Sequence, residues 1–282
     1  MLSKKGVALV IANAEYISQQ RLKSCKKDGE DMRKVLERLN FDVFFAADQS
    51  RTELLKTISD FLINADLYST VLLYYTGHGV QIDGENYFVP VDCVYKPHKA
   101  IFIASQLVGI KVVQDYMDEH PEKNNIMILD ACRSNPGFSR DIVGSGLAEI
   151  KAGSGTFIAF ATAPNTTAGC AADETGNGFY TECLLRHIEQ PNIKIEDMFK
   201  EVRKDVVSLT KGAQTPWEST SLKTDFYFNV MTRDQIDDWI YRTVRNAYSA
   251  NTLIELSTKI KYSISDIMRI YNRQNSEKPG GI

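Results

Sequence analysis

The apolar positions of the chain fall into two alternating rhythms. Short runs that are apolar on both faces predict strands buried on both sides: GVALVIAN (6–13), FDVFFAAD (41–48), STVLLYYTGHG (69–79, ending in glycines), NNIMILDAC (124–132) and GTFIAFATA (155–163). Between them, apolar residues recur at helical spacing. Met32, Val35, Leu36 and Leu39 share a face of DGEDMRKVLERLN (28–40). Leu54, Leu55, Ile58, Phe61 and Leu62 share one in SRTELLKTISDFLINA (50–65), which opens on a serine cap. QIDGENYFVPVD (81–92) reads as a hairpin turning at Asp83-Gly84, followed by a helix near 105–120. GFYTECLLRHIEQ (178–190) and IKIEDMFKEVRKDVVSLTK (193–211) read as helices, and TDFYFNV (224–230) as a last strand. Strands alternating with helices predict an α/β fold with a mostly parallel central sheet flanked by helices, its site at the carboxyl ends of the strands. From about Thr232 the strand signal stops, and 231–282 reads as a small all-helical appendage to a domain over 1–230.

Composition narrows this picture without changing it. The 282 residues suffice for one large α/β domain and an appendage. A net charge of −3 supplies no basic field for nucleic acid or an anionic membrane. The apolar run at 7–12 is too short for a secretion signal, and no segment approaches the ~18 apolar residues of a membrane span, so the chain reads as cytoplasmic. Its five cysteines are odd in number and irregularly spaced, with no CxxC, which argues for reduced thiols over a disulfide framework or zinc ribbon.

Two strand ends carry candidate chemistry, YYTGHG (74–79) and ILDACR (128–133). A thiol of ordinary pKa is mostly protonated at neutral pH, and a neighbouring imidazole converts it into a nucleophile. His78 lies between Gly77 and Gly79, small flanks expected to leave the ring accessible. His98 and His120 adjoin prolines, and His187 sits in an amphipathic helix, so none matches that context. An isolated Cys or His is more often structural. Cys132 and His78 together, each at a strand end, point to a nucleophile and its base.

At these residues the chain resembles caspase-like cysteine peptidases of the paracaspase and metacaspase branch, closest in look to paracaspases and their bacterial relatives. VLLYYTGHGVQIDGENYFVPVD (71–92) resembles their histidine strand and hairpin, and IMILDACRSNP (126–136) their cysteine strand. RLKSCKKDGEDMRKVLERLNFDV (21–43) resembles the first loop and helix, and FIAFATAP (157–164) the strand after the cysteine. The resemblance spans about 5–230. It implies a three-layer caspase–hemoglobinase fold, with a large-subunit-like part at 1–145 and a small-subunit-like part at 146–230. It implies peptide hydrolysis through a thioester, with Cys132 as nucleophile, His78 as general base, and the N–H groups of Gly79 and Cys132 as oxyanion hole. By family association the setting is cell-death, defence or signalling proteolysis.

The resemblance also bears on specificity. Asp130 stands where caspases carry a glutamine that helps bind an acidic P1 residue; an acid there would repel Asp and attract Arg or Lys, as in paracaspases and metacaspases. Asp28 matches the family's first-loop acid, and two carboxylates converging on one guanidinium give charge-assisted bonds. The alternatives are that Asp28 caps a helix beginning near Gly29 and that Asp130 orients its loop. A third pocket acid is expected after FATAP. Counting without gaps puts Cys170 there, whereas a short insertion puts Asp173 there, with Glu174 beside it. Arg133 is expected to point away from a basic-P1 pocket.

The sequence requires no cofactor and contains no EF-hand loop, while the metacaspase likeness leaves calcium activation open. The partners implied are a protein or peptide substrate with Arg or Lys at P1, and a homodimer partner or upstream activator. The Gly/Ser-rich stretch 137–155 reads as a flexible loop, with Arg140 and Lys151 as candidate self-cleavage points. The tail TLIELSTKIKYSISDIMRIYNR (252–273) has a helix-turn-helix rhythm: Leu253 and Leu256 on one helix, Ile260 at the turn, and Ser263, Ile264, Ile267 and Ile270 on the next. Its bases are Lys259, Lys261, Arg269 and Arg273, and its turn lacks glycine, so packing or partner recruitment is favoured over DNA binding. The rival reading of the whole chain is a catalytically silent caspase-like scaffold recruiting partners through these helices. Retention of both Cys132 and His78 argues against it.

Overall fold

The computed structural model describes residues 4–94, 100–132, 147–163, 176–260 and 262–277, with the backbone alone at Ala100, Ile101, Cys132, Lys259 and Glu277. The chain divides into two compact units, 1–185 with 199–225, and 186–198 with 226–282. The second unit thus takes in 186–198 and 226–230, whereas the strand pattern alone placed a boundary at 230/231.

The first unit is built on a sheet. Its strands are β1 (Gly6–Ala12), β2 (Phe41–Ala47), β3 (Thr70–Ile82), β4 (Glu85–Phe88), β5 (Val108–Gly109), β6 (Asn124–Cys132), β7 (Thr156–Phe160) and β8 (Trp217–Thr220). They run in the order β2-β1-β3-β6-β7-β8, parallel up to β7 and antiparallel at β8. All of β1 and β7 is buried, as runs apolar on both faces require. Helices α1 (Lys23–Arg38), α2 (Arg51–Ala65), α3 (Ala100–Ala104), α4 (Lys111–Glu119), α5 (Phe179–His187) and α6 (Ile195–Leu209) follow in chain order. On one sheet face Leu54, Ile58 and Phe61 of α2 and Val113 and Met117 of α4 pack with Val7, Leu9, Ile11, Leu73 and Met127. Against the carboxyl end of β1 lies α1. A Cβ on Gly29 would collide with Ala12, so only glycine permits this approach, which carries Asp28 to the strand ends.

Four elements differ from the sequence pattern. Strand β3 does not stop at its glycines but continues to Ile82, where Asp83 (φ 52°) and Gly84 (φ 84°) turn the chain back into β4, the left-handed pair of a type I′ hairpin. The helix expected over 105–120 begins only at Lys111. Val108 and Gly109 are drawn out as β5 along the edge of β4, and the Ile110 N–H donates to the Asn86 carbonyl at 2.9 Å. TDFYFNV forms no strand. The sheet edge goes to β8, in the register Phe160↔Trp217, while the backbone of the predicted strand bonds within the second unit: Asn192 N–H to Asn229 O (2.8 Å) and Ile195 N–H to Phe226 O (2.9 Å). The loop 137–155 is docked where it is described. Leu147 and Ile150 are buried, and the Asn86 amide clamps the Ala148 backbone, donating to its oxygen (3.0 Å) and accepting from its N–H (2.7 Å). Lys151 is exposed, and Arg140 lies outside the described residues.

The second unit contains α7 (Arg233–Asn246), α8 (Ala250–Ile260) and α9 (Ile264–Glu277) around Ile236, Ile240, Val244, Leu256, Ile260, Ile267 and Ile270. Thr232 caps α7 in a reciprocal box with Gln235, and Ser263 caps α9 by accepting the Asp266 N–H at 3.1 Å. Ile264, expected on the inner face, is instead exposed, because it sits in the first turn of α9 ahead of the buried Ile267. Among the described residues no helix is long and apolar enough to cross a membrane.

The capping box at the head of α2, in which Ser50 and Glu53 bond each other's backbone N–H, satisfies two donors with no other helical partner. Ser50→Ala is expected to cost ~1 kcal/mol, read as a lower urea midpoint with unchanged slope.

Candidate active site

The parallel ladder between β3 and β6 sets the site. Its last rungs pair Thr76 with Asp130, Gly77 with Ala131 and His78 with Cys132. The backbones of His78 and Cys132 therefore stand on neighbouring strands, at the ~4.8 Å spacing of a sheet. The sequence expected an accessible imidazole, but His78 is fully buried. Its ring centroid lies 4.5 Å from that of Tyr16. Its backbone is held at both ends: the N–H donates to the Tyr16 hydroxyl (2.7 Å), and the carbonyl accepts from the Tyr75 hydroxyl (2.5 Å) and the Val89 N–H (3.1 Å). Nε2 lies 2.8 Å from the Gln20 carbonyl oxygen. A carbonyl can only accept, so Nε2 carries the proton and Nδ1 is the nitrogen left to act as a base. Next along the strand, Gly79 is packed so closely that a Cβ there would come within 2.8 Å of Ala131 Cβ and 3.0 Å of Leu147 Cδ2.

The two predicted pocket acids meet at the same sheet end. Asp28 is 1% exposed and lies in the second turn of α1, which begins at Lys23 under Leu22; it caps nothing, and that alternative falls. Its Oδ1 accepts from Asn177 Nδ2 (3.0 Å) and the Gly178 N–H (2.9 Å). Half-buried Asp130 accepts at Oδ2 from Thr181 Oγ1 (2.6 Å), which is 2.5 Å from the Tyr74 hydroxyl. The threonine proton is committed to the carboxylate, so Tyr74 donates to Thr181 and completes a relay into Asp130. Burial, and then the charge of Asp130, raises the Tyr74 phenol well above its ordinary value, which keeps that proton in place.

Gly178 stands between the acids. A Cβ there would lie 3.2 Å from Asp28 Oδ2 and 3.7 Å from Asp130 Oδ2, so glycine leaves open the gap that both carboxylates border. Burial, and next the neighbouring Asp130, push the Asp28 carboxyl up to about 8, against the lowering effect of the Asn177 and Gly178 hydrogen bonds and of Lys27. The charge on Asp130 thus opposes the ionisation of Asp28.

Tyr16, Gln20, Tyr74, Asn177, Gly178 and Thr181 were not legible in the sequence. Asn177-Gly178 ahead of a helical run signals a helix start, but nothing local links it to an acid 150 residues away. Arg133, Cys170, Asp173, Glu174 and His98 lie outside the described residues. The other described histidines have separate roles: His120 stacks on Tyr116 with centroids 4.2 Å apart, and His187 in the second unit bonds the Gln190 amide at 3.1 Å. Cys25, Cys93 and Cys183 are buried, and burial pushes Cys93 up to about 11. Among the described residues no group of three or more His, Cys, Asp or Glu is placed to hold a metal ion.

The sheet thus sets a buried histidine in register with a strand-end cysteine at its carboxyl edge. The sequence model of the family described as Caspase domain matches residues 5–227, and the chain belongs to this family of cysteine peptidases. Among its relatives are the human mucosa-associated lymphoid tissue lymphoma translocation protein 1 and its mouse homolog, each 27% identical over 216 residues, or 76% of this chain and 25% of theirs. The chain therefore spans about a quarter of the length of these curated relatives. The crystal structure of the Drosophila initiator caspase Dronc shares the fold, with a TM-score of 0.56 at 15% identity over 80% of this chain and 85% of that one. The caspase fold and family expected from the two strand motifs are borne out.

A carboxyl held near 8 in the folded chain, against an ordinary value of 3.8, binds a proton that the unfolded chain has already released across that interval. Stability from this group is full below the unfolded value and is lost as pH rises through the folded one. Asp28→Asn, which cannot titrate, is expected to gain melting temperature over the native protein between pH 5 and pH 9. A pH-independent difference would show that Asp28 ionises normally.

Proposed function

We propose that this chain is a cysteine endopeptidase that cleaves after Arg or Lys. The observation that carries the reading is the pair of carboxylates, Asp28 and Asp130, bordering one gap beside the His78–Cys132 rung. His78 Nδ1 takes the proton of the Cys132 thiol, and the thiolate attacks the scissile carbonyl carbon. The N–H groups of Gly79 and Cys132 hold the oxyanion, the former fixed by packing against Ala131 and Leu147. The imidazolium returns its proton to the leaving amine as the thioester forms. Water, deprotonated by the same nitrogen, then attacks the thioester and releases the acid and the thiol.

In the pocket a basic P1 side chain brings a cation to the two acids and favours the ionised form of Asp28 over the protonated one. An acidic P1 would add a third negative charge. The third pocket position is assigned to Asp173, with Cys170 as its alternative. The peptidase region spans 1–230 and the helices of 231–282 serve recruitment. The enzyme works in the cytoplasm in cell-death, defence or signalling proteolysis, switched on by homodimerisation, an upstream activator or calcium.

The test is hydrolysis of fluorogenic peptides with Arg, Lys, Asp or Leu at P1, by the native chain and Cys132→Ala, with and without calcium and with forced dimerisation. Cleavage after Arg or Lys that disappears in Cys132→Ala is expected. Cleavage after Asp would keep the dyad and overturn the pocket. Silence in every condition, with Cys132 labelled by a thiol probe no faster than the other cysteines, would favour the scaffold. In the active enzyme Thr181→Val, which removes the donor to Asp130, is expected to raise KM for Arg peptides ~10-fold or more while kcat changes little. KM for these peptides should fall as pH rises towards the Asp28 value of about 8.

A further inference from the structure

The helical unit has a cavity of about 410 Å³ of its own, lined by Arg233, Tyr262, Asp266, Arg269, Ile270 and Arg273. We propose that this cavity binds a phosphorylated small molecule. Three guanidinium groups against one carboxylate give the lining a positive charge, and two of the three are oriented by acids, Arg273 from outside the lining and Arg269 from within it. Arg273 is anchored at 2.6 Å by Asp237, a carboxylate only 3% exposed, and Arg269 is paired at 3.2 Å with Asp266. Arg233 has no ion pair among the described residues. It is the first residue of α7, where the helix dipole presents its positive end.

Such an arrangement suits a doubly charged phosphate. A guanidinium offers a planar fork of donors that matches phosphate oxygens, and one already oriented by a buried acid loses little freedom on binding. The volume lies within the range of small-ligand sites, and the Tyr262 ring and Ile270 supply an aromatic and aliphatic wall for an organic portion. Nucleic acid fits less well. On α9, the second helix of the helix-turn-helix rhythm, Arg269 and Arg273 are paired with Asp266 and Asp237, so it presents no free basic track for a phosphate backbone. The site is separate from the catalytic reading and stands or falls without it.

Isothermal titration of the full chain with inorganic pyrophosphate and with ADP at low salt tests this directly. Saturable one-to-one binding of both is expected, with ADP at least as tight as pyrophosphate. Arg233→Gln should weaken both by about tenfold or more, with no change in melting temperature, because that side chain is exposed and unpaired. Tyr262→Ala should weaken ADP alone. Absence of saturable binding, binding that survives Arg233→Gln, or ADP weaker than pyrophosphate would each overturn the proposal. Displacement of pyrophosphate by a short DNA duplex, with steep salt dependence, would overturn it in favour of nucleic acid.

Discussion

The backbone ladder between β3 and β6 is the constraint on which the rest of the site depends. Its nine rungs run from Thr70↔Asn124 to His78↔Cys132, and they set the histidine and cysteine backbones side by side with no help from any loop. Side chains alternate along a strand, so a slip of one residue would turn every group on β6 to the opposite face and leave Asp130 on the wrong side of the sheet. The register is locked by burial. Leu72, Leu73, Tyr74 and Tyr75 on β3, and Ile126 to Leu129 on β6, are all within 1% of complete exclusion from solvent. The apolar run that reads merely as core in each strand is therefore also what aligns the two functional ends.

Around that ladder the structure spends stability to hold polar groups in apolar surroundings. His78 is fixed at its N–H, its carbonyl and its Nε2, each by a different partner, and Tyr16 both bonds its backbone and packs on its ring. The acids are treated differently. Each has one oxygen tied by donors at the head of α5, Asn177 and Gly178 just before it for Asp28 and Thr181 in its first turn for Asp130. Oδ2 of Asp28, which these donors leave aside, and the Thr181-bonded Oδ2 of Asp130 both border the space that Gly178 leaves open. A buried acid beside a half-buried one lowers the stability of the fold, and a group kept at such a cost is where local folding rules are expected to give way to function.

The second unit follows other rules. Its helices are amphipathic, capped at α7 and α9, and built around one aliphatic cluster, which is how most helical stability is gained. Its acids are used to orient arginines, and the caspase-domain match ends at residue 227, just short of α7. The carboxylate pair Asp28 and Asp130 lies in the first unit and the arginine-lined cavity in the second.

Much of the first unit was written in the one-dimensional pattern. Runs apolar on both faces determined β1, β2, β3, β6 and β7, the Ser50 and Asp83-Gly84 signals determined a helix start and a hairpin, and the two strand-end motifs pointed to the family and offered His78, Cys132 and Asp130 as candidates, with Asp28 offered by the first loop and helix. These are local properties, carried by residues within one turn or one strand. What the pattern misread depended on partners distant in sequence. FYF alternates like a strand, but its backbone found Asn192 and Ile195, and the sheet edge went to Trp217–Thr220 instead. Val108 and Gly109 left a helical run because β4 offered an open edge. The burial of His78, the tautomer set by Gln20, the Tyr74–Thr181 relay and the gap at Gly178 were decided only by tertiary structure. Each joins residues 50 or more positions apart, except at Tyr75, and a hydrogen bond or a missing Cβ acts through space, where sequence spacing carries no information.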